Sequence, residues 1–268
     1  MRLLSWNVNG RRGTALERQV AAVTSSRPDL VALQEACIES LDAWRTGLGA
    51  AGLVYLVDSA TDLSVAAPAG AEYRRRYFNL IAFRWSLQRL PGLAIAYPER
   101  YLACSIRFSA LEFELHVAHI PPGASRGLIK VEMFEALYRR LATRSERPRI
   151  LCGDFNTPRF ESPDGTVGFW GLRHRPHIER WDAAESSVIL GLADHDLRDV
   201  FRSLNGYSAQ DASWIVKRRG EHWGRRYDHM FAAESLRPVR CSYVHSWRET
   251  GLSDHSAIEV DLEAPLAT

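Results

Sequence analysis

Apolar runs in this chain repeatedly meet a carboxylate or an amide at one end. Leu3 to Trp6 leads into Asn7 within LLSWNVNG at 3–10, and Leu30 to Leu33 leads into Gln34 and Glu35. Arg149 to Cys152 leads into GDFN at 153–156, while RRYDH at 225–229 and SDH at 253–255 stand just before apolar runs. Short apolar runs bounded by turn residues read as buried strands. Strand ends are where a rigid scaffold presents chemistry. A fold that gathers Asn7, Glu35, Asp154, Asn156, Asp228, Asp254 and His255 builds an acidic, amide-rich pocket. That composition suits a hard cation and the hydrolysis of phosphate esters.

Between these motifs the pattern alternates strand and helix. Leu16, Val20 and Val23 have helical spacing behind a Thr14-x-x-Glu17 capping box. Strands are predicted near 53–57, 78–85 and 101–107. Leu111, Phe113, Leu115 and Val117 alternate with polar residues as a half-buried strand does, and His119 extends their face. Val131, Phe134, Leu137, Tyr138 and Leu141 make one face of a helix. Residues 157–182 show no clear period and read as a long surface insertion. A helix near 184–192 and strands near 213–216, 227–232, 239–244 and 257–262 complete the chain. Propensity alone gives an α/β or α+β protein.

At 268 residues with 46% hydrophobic content the chain can bury a large core, and it reads as one domain over 1–268. No apolar stretch approaches the roughly 20 residues of a membrane helix. A strand begins almost at Met1, which leaves no room for a signal peptide. Cys37, Cys104, Cys152 and Cys241 are far apart and lack CxxC spacing. They read as reduced core thiols, so a cytoplasmic protein is expected. Only Lys130 and Lys217 are lysines among 34 basic residues. Codon usage explains that bias more simply than selection for phosphate binding, although arginine's planar fork does suit phosphate oxygens. Of the local basic clusters (11–12, 74–76, 173 with 175, 217–219 and 225–226), Arg11-Arg12 and Arg225-Arg226 adjoin the motifs above.

In this order the motifs resemble the endonuclease/exonuclease/phosphatase superfamily, whose members include exonuclease III, abasic-site endonucleases, pancreatic deoxyribonuclease, neutral sphingomyelinases and inositol polyphosphate 5-phosphatases. The resemblance spans nearly the whole chain. It implies a four-layer α/β sandwich, two packed mixed β-sheets flanked by helices, and a Mg²⁺- or Mn²⁺-dependent phosphoesterase. It makes Glu35 the principal metal ligand, with Asp254, Asn7 and Asn9 in the metal environment. Asp154 would orient or deprotonate the attacking water, and Asn156 would bind that water or the phosphate. The two lie at i and i+2, which on an extended segment puts both side chains on one side. His255 would act on the scissile phosphate with Asp228 fixing its tautomer. His119, matching a catalytic histidine of some branches, would donate to phosphate or act as general acid. Asn7, Asn156, Arg11, Arg12, Arg225 and Arg226 would contact substrate phosphate.

Three other patterns compete. Gly47, Gly49 and Gly52 match G-x-G-x-x-G but run from helix to strand, the reverse of the dinucleotide-binding order. His174 and His177 lack the cysteines of a zinc site. Gly123, Ser125 and Gly127 match G-x-S-x-G, a serine-hydrolase signature. Pro121-Pro122 separates Ser125 from its strand, however, and that reading leaves Glu35 and Asn156 unexplained. A nuclease acting on DNA is therefore the expected activity. A phosphatase or phospholipase C-like hydrolase of inositol phosphate or sphingomyelin-type substrates is the alternative. The amino end looks like exonuclease III, whereas Ala36-Cys37 after Glu35, and Arg225 where abasic-site enzymes carry an apolar or aromatic residue, depart from it.

Overall fold

The computed structural model describes residues 1–65, 76–108, 111–123, 127–173, 176–218 and 220–263. In chain order the elements are β1 (Arg2–Asn7), α1 (Gly13–Ser25), β2 (Leu30–Cys37), α2 (Leu41–Ala50), β3 (Tyr55–Asp58), β4 (Tyr77–Phe83), β5 (Leu87–Arg89), β6 (Tyr101–Phe108) and β7 (Leu111–His119). They continue with α3 (Ile129–Leu141), β8 (Arg149–Asp154), β9 (Phe160–Glu161), β10 (Val167–Gly168), α4 (Ile178–Ile189), β11 (Arg198–Asp199), α5 (Val200–Asn205), β12 (Trp214–Arg218) and β13 (Glu221–Arg225). The last are β14 (Asp228–Ala232), β15 (Pro238–Val244), α6 (His245–Glu249) and β16 (Ala257–Leu262).

Two six-stranded mixed sheets result, ordered β15-β16-β1-β2-β4-β3 and β11-β14-β8-β7-β6-β5. In each, one parallel pair is joined through a helix: β1-α1-β2 and β7-α3-β8. The central strands are apolar on both faces because both faces are covered. Leu3, Leu30, Ala32, Val117, Cys152 and Ile258 point between the sheets, and their neighbours Leu4, Val31 and Leu33 pack under α1 and α2. On the far side Leu151 and Phe231 pack under α3 and α4. The layers are therefore helix, sheet, sheet, helix, an α/β sandwich. All four cysteines are buried and free. Among the described residues no helix is long and apolar enough to cross a membrane.

Three local expectations change. Helix α1 begins at Gly13 with Arg12 as its N-cap and no side-chain cap, so Thr14 falls inside the first turn and cannot cap it. Residues 157–182 are not one irregular insertion: they hold the β9–β10 hairpin, and α4 starts at Ile178. The inward face of α4 carries Trp181 and Glu185 beside Ala184 and Val188, which hid its period. Strand β13, exposed along most of its length, pairs only with β12 in a hairpin outside both sheets. Arg74, Arg75, Ser125, His174, Arg175 and Arg219 lie outside the described residues.

Candidate active site

Strand register does most of the assembly. In the second sheet His119, Asp154 and Asp228 are direct neighbours across β7, β8 and β14. In the first sheet Asn7 ends β1 beside Gln34, and Glu35 follows on β2. His255 sits just before β16, with its carbonyl accepting from Trp6 Nε1 at 2.9 Å. Glu35 has φ +56° at a register shift between Leu33 and Ala36. A left-handed non-glycine residue at a bulge is costly, and it re-aims a side chain. Gly153 is required by packing: a Cβ there would lie 1.9 Å from the Ala118 carbonyl oxygen. Only glycine lets β8 come this close to β7 and deliver Asp154.

Three contacts then cross between the sheets. Asn7 Nδ2 donates to Asp154 Oδ2 at 2.9 Å. His255 Nδ1 lies 2.7 Å from Asp228 Oδ2. His119 Nε2 lies 3.2 Å from Glu35 Oε1. Asp154 also accepts from the Asn156 backbone N–H at 3.0 Å and from its amide at 3.3 Å. His255 Nε2 faces Asp154 Oδ2 at 3.8 Å. Burial first, then Asp228 and Glu35, pushes the Asp154 carboxyl up to about 7, against the pull of His255 and the Asn7 amide. Burial would lower the His255 imidazole, but Asp228 and Asp154 outweigh it and raise it to about 10. His119 moves the other way. Burial, then Arg100 and His255, holds it well below its ordinary value, so its ring is neutral at neutral pH.

The floor opens into a cleft of about 820 Å³. Glu35, Asp154, Asn156, Asp254 and His255 line it, and Asp254 is exposed. Two sets of side chains bring ligand atoms within 4.8 Å of one another: Glu35, His119 and Asp154, and Asp154, Asp228 and His255. Carboxylate oxygens predominate, as a hard divalent cation prefers. Asp228 Oδ1 is buried without a hydrogen-bond partner among the described residues, an unsatisfied acceptor inside an acidic cluster. The residues present fit such an ion.

Not every residue expected at the site reaches it. Arg225 lines the cleft. Arg226, its neighbour on the chain, turns inward and is 3% exposed, bound by Glu161 at 2.7 Å and Asp199 at 2.7 Å. Its charge is paired there with two carboxylates. Arg11 and Arg12 lie outside the cleft lining, and Arg12 pairs with Glu39 on the surface at 3.0 Å. Asn9 donates its backbone N–H to Asn7 Oδ1 at 2.9 Å and so steadies Asn7. His119 is 2% exposed and sits behind Glu35 instead of lining the cleft.

Two buried cations escaped the sequence reading. Arg100 precedes Tyr101, which pairs with Ala118, so register sets it opposite His119; its Nη1 is 3.3 Å from His119 Nε2. Pairing of that kind leaves no local signal. Lys130 donates to the Asn156 carbonyl at 2.8 Å and pairs with Glu185 at 2.6 Å. A signal existed for it: a lysine in an arginine-rich chain, inside the first turn of an amphipathic helix.

An α/β sandwich with this carboxylate, amide and imidazole set along one rim is the architecture of a hydrolytic phosphoesterase. The chain belongs to the endonuclease/exonuclease/phosphatase family, whose sequence model matches residues 4–255. Enzymes of this family use divalent metals. Among solved structures, an AP endonuclease from Archaeoglobus fulgidus superposes with a TM-score of 0.70 at 18% identity, covering 98% of this chain and 100% of that one. The 3′ phosphatase NExo from Neisseria, bound to a product DNA hairpin, gives 0.69 at 19% identity over 98% and 100% of the two chains. D. rerio TDP2 complexed with single-strand DNA product gives 0.67 at 16% identity over 98% and 99%.

Proposed function

We propose that this protein is a Mg²⁺- or Mn²⁺-dependent phosphodiesterase acting on nucleic acid, with DNA favoured. The observation that carries the reading is the Asp228–His255 pair, with His255 Nε2 3.8 Å from Asp154 at the floor of the cleft. Asp228 fixes the imidazole and keeps it protonated, so Nε2 donates to a phosphoryl oxygen as negative charge develops there. Asp154, held by Asn7 and Asn156, orients the attacking water and accepts its proton. Asn156, which lines the cleft, orients the water or phosphate with its amide. Glu35 and Asp254 would hold the cation. Bound there, a divalent cation would supply Lewis-acid polarisation of the phosphate and charge stabilisation for the leaving oxygen. Arg225 offers charge to the flanking phosphates. Four free, buried cysteines support a reducing, cytoplasmic setting.

A panel of plasmid, abasic duplex, single-stranded DNA, RNA, sphingomyelin and inositol phosphates, with Mg²⁺, with Mn²⁺ and with chelator, tests this. Metal-dependent cleavage of a nucleic acid is expected. Turnover confined to sphingomyelin or an inositol phosphate would move the assignment to the alternative substrate class. Full activity in chelator, blocked by a serine-directed reagent, would overturn the metal reading.

A further inference from the structure

The rim of the cleft differs in character from its floor. Residues 159–173 contribute Arg159, Trp170 and Arg173, and the β12–β13 hairpin contributes Trp214, Trp223 and Arg225. Arg159, Arg173 and Arg225 form no ion pair among the described residues. Arg202 and Arg226, by contrast, share Glu161 at 2.9 and 2.7 Å, and Arg226 also pairs with Asp199 at 2.7 Å. Three arginines without an ion pair among the described residues thus line the same cleft as three indoles. Trp223 is 39% exposed, so its ring is accessible from the cleft.

The platform is fixed relative to the chemistry. Trp214 stacks on Tyr227 with ring centroids 5.4 Å apart and makes a backbone bridge to His255. Ser256 N–H donates to the Ser213 carbonyl at 2.8 Å, tying the hairpin to the catalytic strand. On the other segment, Trp170 N–H donates to buried Glu185 at 2.9 Å.

We infer that this rim is a binding site for an unpaired, single-stranded stretch of nucleic acid, whose bases stack on Trp223 and its neighbouring indoles while Arg159, Arg173 and Arg225 hold the phosphates. The inference rests on the phosphodiesterase reading and narrows its substrate. Three arguments select a single strand. Stacking on an indole requires the face of a base, and a duplex offers side chains only base edges. The reacting groups are recessed, Asp154 being 1% and His255 6% exposed, so a strand must turn its scissile phosphate inward to reach them. A cleft of about 820 Å³ has room for a ligand of small-molecule size, as one or two splayed nucleotides are. An inositol phosphate would use the arginines and leave the indoles idle.

The test is fluorescence anisotropy with a labelled twelve-residue thymidine oligonucleotide and a labelled duplex of the same length. Ca²⁺ replaces Mg²⁺, and salt is varied. The single strand should bind at least about tenfold tighter than the duplex. Trp223→Ala should weaken it roughly tenfold, and Trp223→Phe should recover most of the loss. Arg225→Ala should reduce the slope of log affinity against log salt by about one phosphate contact. Equal or tighter binding of the duplex, or unchanged single-strand binding in Trp223→Ala, overturns the inference even if the wild type hydrolyses bis(p-nitrophenyl) phosphate with metal. Failure of the wild type to hydrolyse that small diester in Mg²⁺ or Mn²⁺ marks failure of the underlying reading, and the inference falls with it.

Discussion

Replacing Glu185 by Leu should cost far more stability than its distance from solvent-facing chemistry suggests. Lys130 Nζ lies 2.6 Å from Glu185, and the two side chains are 1% and 0% exposed. Glu185 also accepts from Trp181 Nε1 at 3.0 Å and from Trp170 N–H at 2.9 Å. The substitution therefore strands a buried ammonium. Breaking a buried pair from one side costs about 3–5 kcal/mol. Loss of an acceptor for a buried N–H adds roughly 1–3 kcal/mol, not fully additively. A total near 4 kcal/mol is expected, limited because burial already lowers the lysine's proton affinity and lets it neutralise. Urea unfolding of Glu185→Leu, Lys130→Met and the double variant measures this. The double variant should be more stable than Glu185→Leu, since removing both charges leaves no unpaired one. Turnover should fall as well, because Lys130 holds the Asn156 carbonyl at 2.8 Å and Asn156 has φ +51°. A Glu185→Leu loss below about 1 kcal/mol, or a double variant at least as unstable as the sum of the singles, would refute the reasoning.

Three further outcomes are expected. His255→Ala and Asp154→Ala should each lower turnover by at least about a hundredfold at saturating metal, in steady-state hydrolysis of a diester; near-normal rates would remove their assigned roles. Glu35→Gln should raise the metal concentration needed for half-maximal rate more than it lowers the rate at saturation, as read from a metal titration. Glu161 is held down to about 2, because Arg226 and Arg202 outweigh the effect of burial. A depressed carboxylate stabilises the fold above its ordinary value near 4.5, and the gain is lost as pH falls toward 2; it is on the order of 3 kcal/mol. Glu161→Gln should therefore be less stable than wild type at pH 7, with the gap closing at pH 2–3. A gap independent of pH in urea unfolding would contradict the linkage.

The convergence of Asn7, Glu35, Asp154, Asp228 and His255 was legible in the sequence because these are strand-end residues, and strands buried on both faces are conspicuous as short apolar runs. Asp154 and Asn156, two apart beyond such a run, could be placed together from spacing. The basic residues could not. Arg225 and Arg226 adjoin the same motif, yet successive residues on an extended chain face opposite ways. One lines the cleft and the other is buried with Glu161. Adjacency suggested both, while alternation, the sounder guide, allows only one. Arg100 reaches His119 through pairing of β6 with β7, which no local pattern encodes. The stretch 157–182 looked irregular because the buried face of α4 mixes tryptophan and glutamate with small apolar residues. A polar residue that is buried because a distant lysine meets it breaks the periodicity from which helices are read.

The three close side-chain contacts that join the sheets at the site make it an alignment gauge for the sandwich. Asn7, Glu35 and His255 belong to one sheet, and Asp154, His119 and Asp228 to the other. Each half carries an incomplete set, so the reactive arrangement is a property of how the halves abut. A slide of one sheet over the other would strain all three contacts together while leaving every strand and helix intact. Catalytic competence then rests on the apolar interlayer far from the cleft. Changes in side-chain volume there reach the chemistry by altering registration, without touching any residue that meets substrate.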